Sequence, residues 1–259
     1  MAYSPEYRAA PRVGAGTAQA AVLDQGLRAY MLRVYNWMSS GLLLTAIIAY
    51  AVANTGLRDA FYQPVVGAFG QVIMRPTALA TISMFAPLAF VLVLSFGVNR
   101  LSRTAAQSLY WAFCAVMGAS LANIFLVYTQ GSIASTFLVT SGMFAGMSIW
   151  GYTTHRDLSG MGSFLMMGLI GIILASLLNL FLHSGGLAFA VSLIGVVVFT
   201  GLTAWDTQRI KVNYLNFAYA EGADQAAKRS VYDALNLYLN FINLFMMLLQ
   251  LTGNRSSNN

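Results

Sequence analysis

Four polar side chains stand in an otherwise apolar stretch: Asp233, Asn236, Asn240 and Asn243, within VYDALNLYLNFINLFMMLLQL at positions 231–251. Spaced three, four and three apart, they share one face of an α-helix. The stretch suits one bilayer crossing, which takes roughly 20 apolar residues. A carboxylate and three amides facing acyl chains would be costly, so this face must meet protein or water. Two roles are open to it. As glue between helices, each amide would contribute about 1 kcal/mol. As a hydrated path, Asn236 and Asn243 would line a pore and Asn240 would stand at its gate.

Asp206 is the sharpest single residue, in Thr203-Ala204-Trp205-Asp206-Thr207-Gln208-Arg209. A carboxylate at the edge of hydrocarbon has to be paired or wetted. It reads either as an interfacial residue paired with Arg209 one turn on, or as a gating, proton-sensing carboxylate. Arg100 is a second candidate salt-bridge partner. Asp233 reads either as a carboxylate favoured by a helix N-terminus or as a partner of Asp206 across the bundle. Calcium prefers several hard oxygens, so Asp206, with Asp233 and nearby amides, is expected to offer at most a weak, transient calcium site. No cofactor is expected.

The signatures of catalysis are missing: no GxSxG, HExxH, P-loop or dinucleotide fingerprint occurs. Enzyme activity is not expected. Cys114 is the only cysteine, so it reads as a small packed side chain. His155 and His183 are expected on opposite sides of a membrane, where they cannot share a metal.

These residues need a bundle to position them. Of 259 residues, 58% are hydrophobic and 8% charged, against about a quarter charged in a soluble domain. The composition implies an all-α, polytopic membrane protein with its last helix central. Seven spans are expected, at 34–53, 77–98, 105–129, 133–152, 161–182, 187–205 and 231–251. The uncharged stretch 104–155 is divided by Thr129-Gln130-Gly131-Ser132, and 158–205 by His183-Ser184-Gly185-Gly186. Residues 1–28 read as a disordered cytosolic tail, 29–252 as the membrane domain and 253–259 as a short C-terminal tail. The link 54–76 is expected to lie on the membrane surface, and 210–230 is expected to be an inside loop. With the N-terminus inside, eleven of fourteen basic residues fall on the cytoplasmic side, a strong positive-inside bias. Bilayer contact therefore accounts for the net charge of +6 without nucleic acid. An alternative is open, in which the last helix re-enters and returns the C-terminus inside. Gly142 and Gly146 form a GxxxG that would allow close helix approach. Pro87 is expected to kink the second span. Asn123 and Asn179 are expected to bond between helices.

Gly201-Leu202-Thr203-Ala204-Trp205-Asp206-Thr207-Gln208, followed by Leu237-Tyr238-Leu239-Asn240-Phe241-Ile242-Asn243-Leu244-Phe245, resembles the Bax inhibitor-1 family. Arg33-Val34-Tyr35-Asn36-Trp37-Met38 and Leu92-Val93-Leu94-Ser95-Phe96 are similar too. The likeness runs over nearly the whole chain from Gly26. It implies a seven-helix bundle around the last helix and, in several members, a pH-modulated calcium leak. In others it implies suppression of cell death or regulation of a membrane-bound protease. For a bacterial member it implies the inner membrane. The family's sensor is a pair of aspartates, of which Asp206 matches the first. The second falls on Asn240. Two carboxylates in one site share a proton, whereas an amide cannot ionise, so the pH response is expected to be weakened or moved, with Asp233 as a possible substitute. The alternative function is a non-transporting modulator of a membrane-bound protease or quality-control complex.

Overall fold

The computed structural model describes residues 14–66, 72–97, 100–217 and 223–256. Among the described residues nine helices and one hairpin follow in chain order: α1 (Gly14–Asn54), α2 (Arg58–Phe61), β1 (Tyr62–Val66), β2 (Val72–Pro76), α3 (Ala78–Gly97), α4 (Arg103–Leu121), α5 (Ile124–Val127), α6 (Gln130–Thr153), α7 (Ser159–Leu182), α8 (Gly185–Phe217) and α9 (Ala223–Thr252). Seven candidate spans emerge among the described residues: α1 from Leu23, α3, α4 with α5, α6, α7, α8, and α9 from Asp224. The protein is an all-α polytopic membrane protein.

Local chemistry explains the boundaries. Ser102 starts α4 by accepting from the Ala105 N–H, and Thr129 starts α6 by accepting from the Ser132 N–H, each satisfying a donor the helix cannot. His183 closes α7 in the left-handed region (φ 51°), and Asn179 Oδ1 accepts from the Ser184 N–H (2.9 Å). Asn179 therefore caps its own helix end and is not an inter-helix bond as expected. Asn123 stands at the break between α4 and α5. Pro87 lies inside α3.

The sequence expectation errs at three helix ends. The 1–28 tail is helical from Gly14, where alanines supply high helix propensity. Of the expected 210–230 loop, residues 210–217 continue α8 and residues 223–230 already belong to α9, while 218–222 lie outside the described residues. Lys211, Asp224, Lys228 and Arg229 sit on the helix ends, where long basic side chains reach water. The 54–76 link holds α2 and an antiparallel hairpin, Tyr62 opposite Pro76 and Val66 opposite Val72.

Burial ranks the helices. In the most apolar 18-residue window of each, 61% of α9 is buried but only 11% of α7. So α9 is the central rod, packed by α8, α1, α6 and α4, and α7 is peripheral. Exposed Leu43, Phe85, Leu138, Phe164, Phe181 and Val197 form the apolar outer surface that lipid requires. The C-terminal segment is pinned at the far end: Thr129 N–H donates to Asn254 O (3.0 Å) and Ser256 N–H to Val127 O (2.9 Å). The last helix thus runs unbroken to the end of the bundle that holds the link between α5 and α6, as one candidate span.

The expected GxxxG is not a packing seam, because a Cβ on Gly142 or Gly146 would meet open space. Close approach occurs elsewhere. A Cβ on Gly151 would strike the Ala204 backbone, so α6 and α8 touch there, one residue from Trp205 and two from Asp206.

Candidate functional site

Asp206 lies inside α8, eleven residues before its end at Phe217, on the buried face with Leu202, Thr203 and Ile210. Its side chain is only 8% exposed. Asn240 Nδ2 donates to Asp206 Oδ2 at 2.7 Å. Arg209 Nη2 lies 2.7 Å from Oδ1 as an ion pair one helical turn on, without the alignment of a hydrogen bond. The guanidinium also lies 4.8 Å from the Trp205 ring centroid. Both carboxylate oxygens are thus engaged, one by a cation from the same helix and one by an amide from the central rod.

Asp233 stands about two turns from Asn240 on the same helix, seven residues earlier. Tyr30, on α1, donates its hydroxyl to Asp233 Oδ2 at 2.5 Å. Arg209, Arg229 and Asp206 all lie within electrostatic reach of Asp233. The two acids therefore belong to one charged cluster shared by α1, α8 and α9. Tyr30 packs on Tyr214 with ring centroids 4.9 Å apart, which closes the cluster's flank.

The expected set is brought together only in part. Asp206, Asn240, Arg209 and Asp233 assemble. Asn236 and Asn243 are half-buried on the same rod, and among the described hydrogen bonds neither side chain takes part. Arg100 is exposed and, among the described residues, forms no ion pair with Asp206. Arg103 at the start of α4 reaches Asp224 instead, at 3.1 Å. Among the described residues no three His, Cys, Asp or Glu side chains group as metal ligands. With its oxygens taken by Arg209 and Asn240, Asp206 offers calcium a binding oxygen only if that pairing opens.

Sequence reasoning missed Tyr30, whose phenol is the partner of Asp233. It also missed the mid-bundle anchor, where Thr45 donates to Cys114 O (2.9 Å) and shares a 2.7 Å hydrogen bond with the Tyr238 hydroxyl. Both are tertiary pairings without a local motif. A tyrosine or threonine on the buried 3–4 stripe of a long apolar helix was the one available signal, since a buried hydroxyl must find a partner.

The family model described as inhibitor of apoptosis-promoting Bax1 matches residues 27–257. The chain is 47% identical over 231 residues to the inner membrane protein YbhL of Escherichia coli K12, covering 89% of this chain and 93% of that one. An uncharacterized protein of Rickettsia prowazekii is 46% identical over 240 residues, 92% and 95% of the two chains. An uncharacterized membrane protein of Streptococcus pyogenes is 33% identical over 230 residues, 89% and 94% of the two.

Proposed function

Because the chain belongs to the Bax inhibitor-1 family, we propose that it is a passive cation leak with calcium as its cargo, held shut at its basic end by Asp206. The observation that carries this is the engagement of a membrane-buried carboxylate by Arg209 and Asn240. Ionisable groups inside spans are costly and functional by default. The E. coli relative's name places it in the inner membrane. We assign this chain to the same membrane, with the end bearing Arg156, Arg209 and Lys211 in the cytoplasm on the positive-inside bias.

In this reading the closed state is the one observed. Rings of the central rod and α6 pack against one another next to Asn240, as suits a shut path: Phe241 packs edge-on to Phe137 and Phe144, each with centroids 5.5 Å apart. Opening requires Asp206 to exchange Arg209 for water or a passing cation. Asn240 supplies a neutral donor where the family's pair has a second acid, so the pH response of the leak is muted. Calcium uptake by proteoliposomes tests the proposal: uptake above that of protein-free vesicles is expected, and equal uptake refutes it.

A second reading rests on that same amide. Asn240 satisfies Asp206 without a second proton-binding group, as suits a member that has given up conduction and modulates a membrane-bound protease. Copurification of a protease together with flux at the empty-vesicle level would favour it.

A further inference from the structure

A cavity of about 690 Å³ opens at the basic end, between the α6–α7 link and the last turns of α8. Arg156, Arg209 and Lys211 line it with His155 and Trp205, and Asp157 is its one acid. That acid is already committed. Asp157 Oδ1 accepts from the Ser159 N–H at 2.9 Å, and hydrogen bonding from Ser159, hydroxyl first and backbone second, holds its carboxyl below the usual range. The link itself is clamped to α8: Gln208 Nε2 donates to Arg156 O (2.7 Å) and Gln208 Oε1 accepts from the Leu158 N–H (2.8 Å). So the cations are held around a concave space by a bonded frame.

Arg209 joins this cavity to the gate. Its side chain is 34% exposed while that of its partner Asp206 is 8% exposed. The guanidinium thus spans from the buried carboxylate to the open cavity. Lys211 is fixed over the Tyr152 ring (5.1 Å) and donates to Tyr152 O (2.7 Å). Arg156 is exposed, and among the described residues its guanidinium has no ion-pair partner. A guanidinium fork beside a second cation matches the oxygens of a phosphate group.

We infer that this cavity binds a phosphate-bearing anion, which competes with Asp206 for Arg209 and thereby loosens the closed gate. The inference deepens the leak reading and rests on it for the consequence, but the binding itself does not depend on conduction. Competition is reciprocal: whatever affinity the anion loses to Asp206, the gate's closure loses to the anion.

The test uses the full chain in phosphatidylcholine nanodiscs, titrated with pyrophosphate. Binding is followed by tryptophan fluorescence, with Trp205→Phe to identify the signal, since Trp205 lies beneath Arg209 in the cavity. A second arm adds phosphatidylglycerol to the bilayer in place of pyrophosphate. Saturation is expected in at least one arm, and the arm that saturates names the source as a free phosphate or a lipid headgroup. Arg156→Gln is expected to weaken it about tenfold, the loss of one charge-assisted contact. Asp206→Asn is expected to tighten it about fivefold, because Arg209 is released from a part-exposed ion pair. No saturation in either arm overturns the site. Unchanged affinity in a folded Asp206→Asn overturns the competition. Should that variant fail to fold, Arg156→Gln, on an exposed link, still decides: unchanged binding there refutes the site. Calcium flux is not read, so a protein that binds the anion and does not conduct leaves this inference standing and removes only the leak.

Discussion

Three chemically identical substitutions on one rod separate a bonded amide from its unbonded neighbours. Asn240→Leu keeps the number and branching of the side-chain heavy atoms and removes the Nδ2 donor 2.7 Å from Asp206 Oδ2. A hydrogen bond to a charged group contributes about 1.5–3 kcal/mol, and the unsatisfied buried oxygen adds a desolvation cost of similar order. Because Asp206 keeps Arg209 at 2.7 Å, part of that cost is recovered, so the net loss is about 2–4 kcal/mol. Asn236→Leu and Asn243→Leu remove amides that make no described side-chain hydrogen bond, and each is expected to stay within about 0.5 kcal/mol of the parent. Unfolding of the purified protein in one detergent, monitored by helicity against denaturant, measures the difference. Pairing Asn240→Leu with Asp206→Leu closes a double-mutant cycle. Equal loss at all three positions, or a coupling energy near zero, would refute the bond as a stabilising contact.

Other consequences follow from the same geometry. Asn240→Asp places a second carboxylate against Asp206, and two such groups share one proton; calcium uptake by this variant is expected to vary more steeply than wild type between about pH 6 and 8, and parallel profiles would show that residue 240 does not set the response. Tyr30→Phe removes the hydroxyl on Asp233, costing about 1.5–3 kcal/mol by the same unfolding measurement; no loss would show the contact to be idle. Gly151→Val drives a side chain into the Ala204 backbone and should prevent or strongly destabilise folding, whereas Gly142→Val meets open space and should leave the yield of folded protein near wild type; the reverse order would mean that α6 packs through its GxxxG.

The polar stripe on 231–251 and the lone acid in Thr203-Ala204-Trp205-Asp206 located the centre of the bundle, because hydrocarbon leaves polar groups only one direction to face. The helix ends were less legible. Between Ile210 and Ser230 the charges resemble a loop, yet Lys211, Asp224, Lys228 and Arg229 decorate the ends of α8 and α9. Partners chosen by three-dimensional packing left little trace. Arg209 was legible as a partner of Asp206 from its spacing of one helical turn, whereas Arg100 was a candidate by type alone and the fold sets it elsewhere. Tyr30 is some 200 residues from Asp233, and no local pattern connects them. The glycines misled for a related reason: Gly142-Met143-Phe144-Ala145-Gly146 has the spacing of a packing motif, but the helix presents Gly151 to its neighbour instead.

Calcium uptake into proteoliposomes by Asp206→Asn, beside wild type and protein-free vesicles, tests the central claim most directly. Releasing Arg209 from a part-exposed ion pair should raise uptake about fivefold above wild type, with wild type itself above the empty vesicles. Uptake by the folded variant equal to that of wild type would contradict the assignment of Asp206 as the gate.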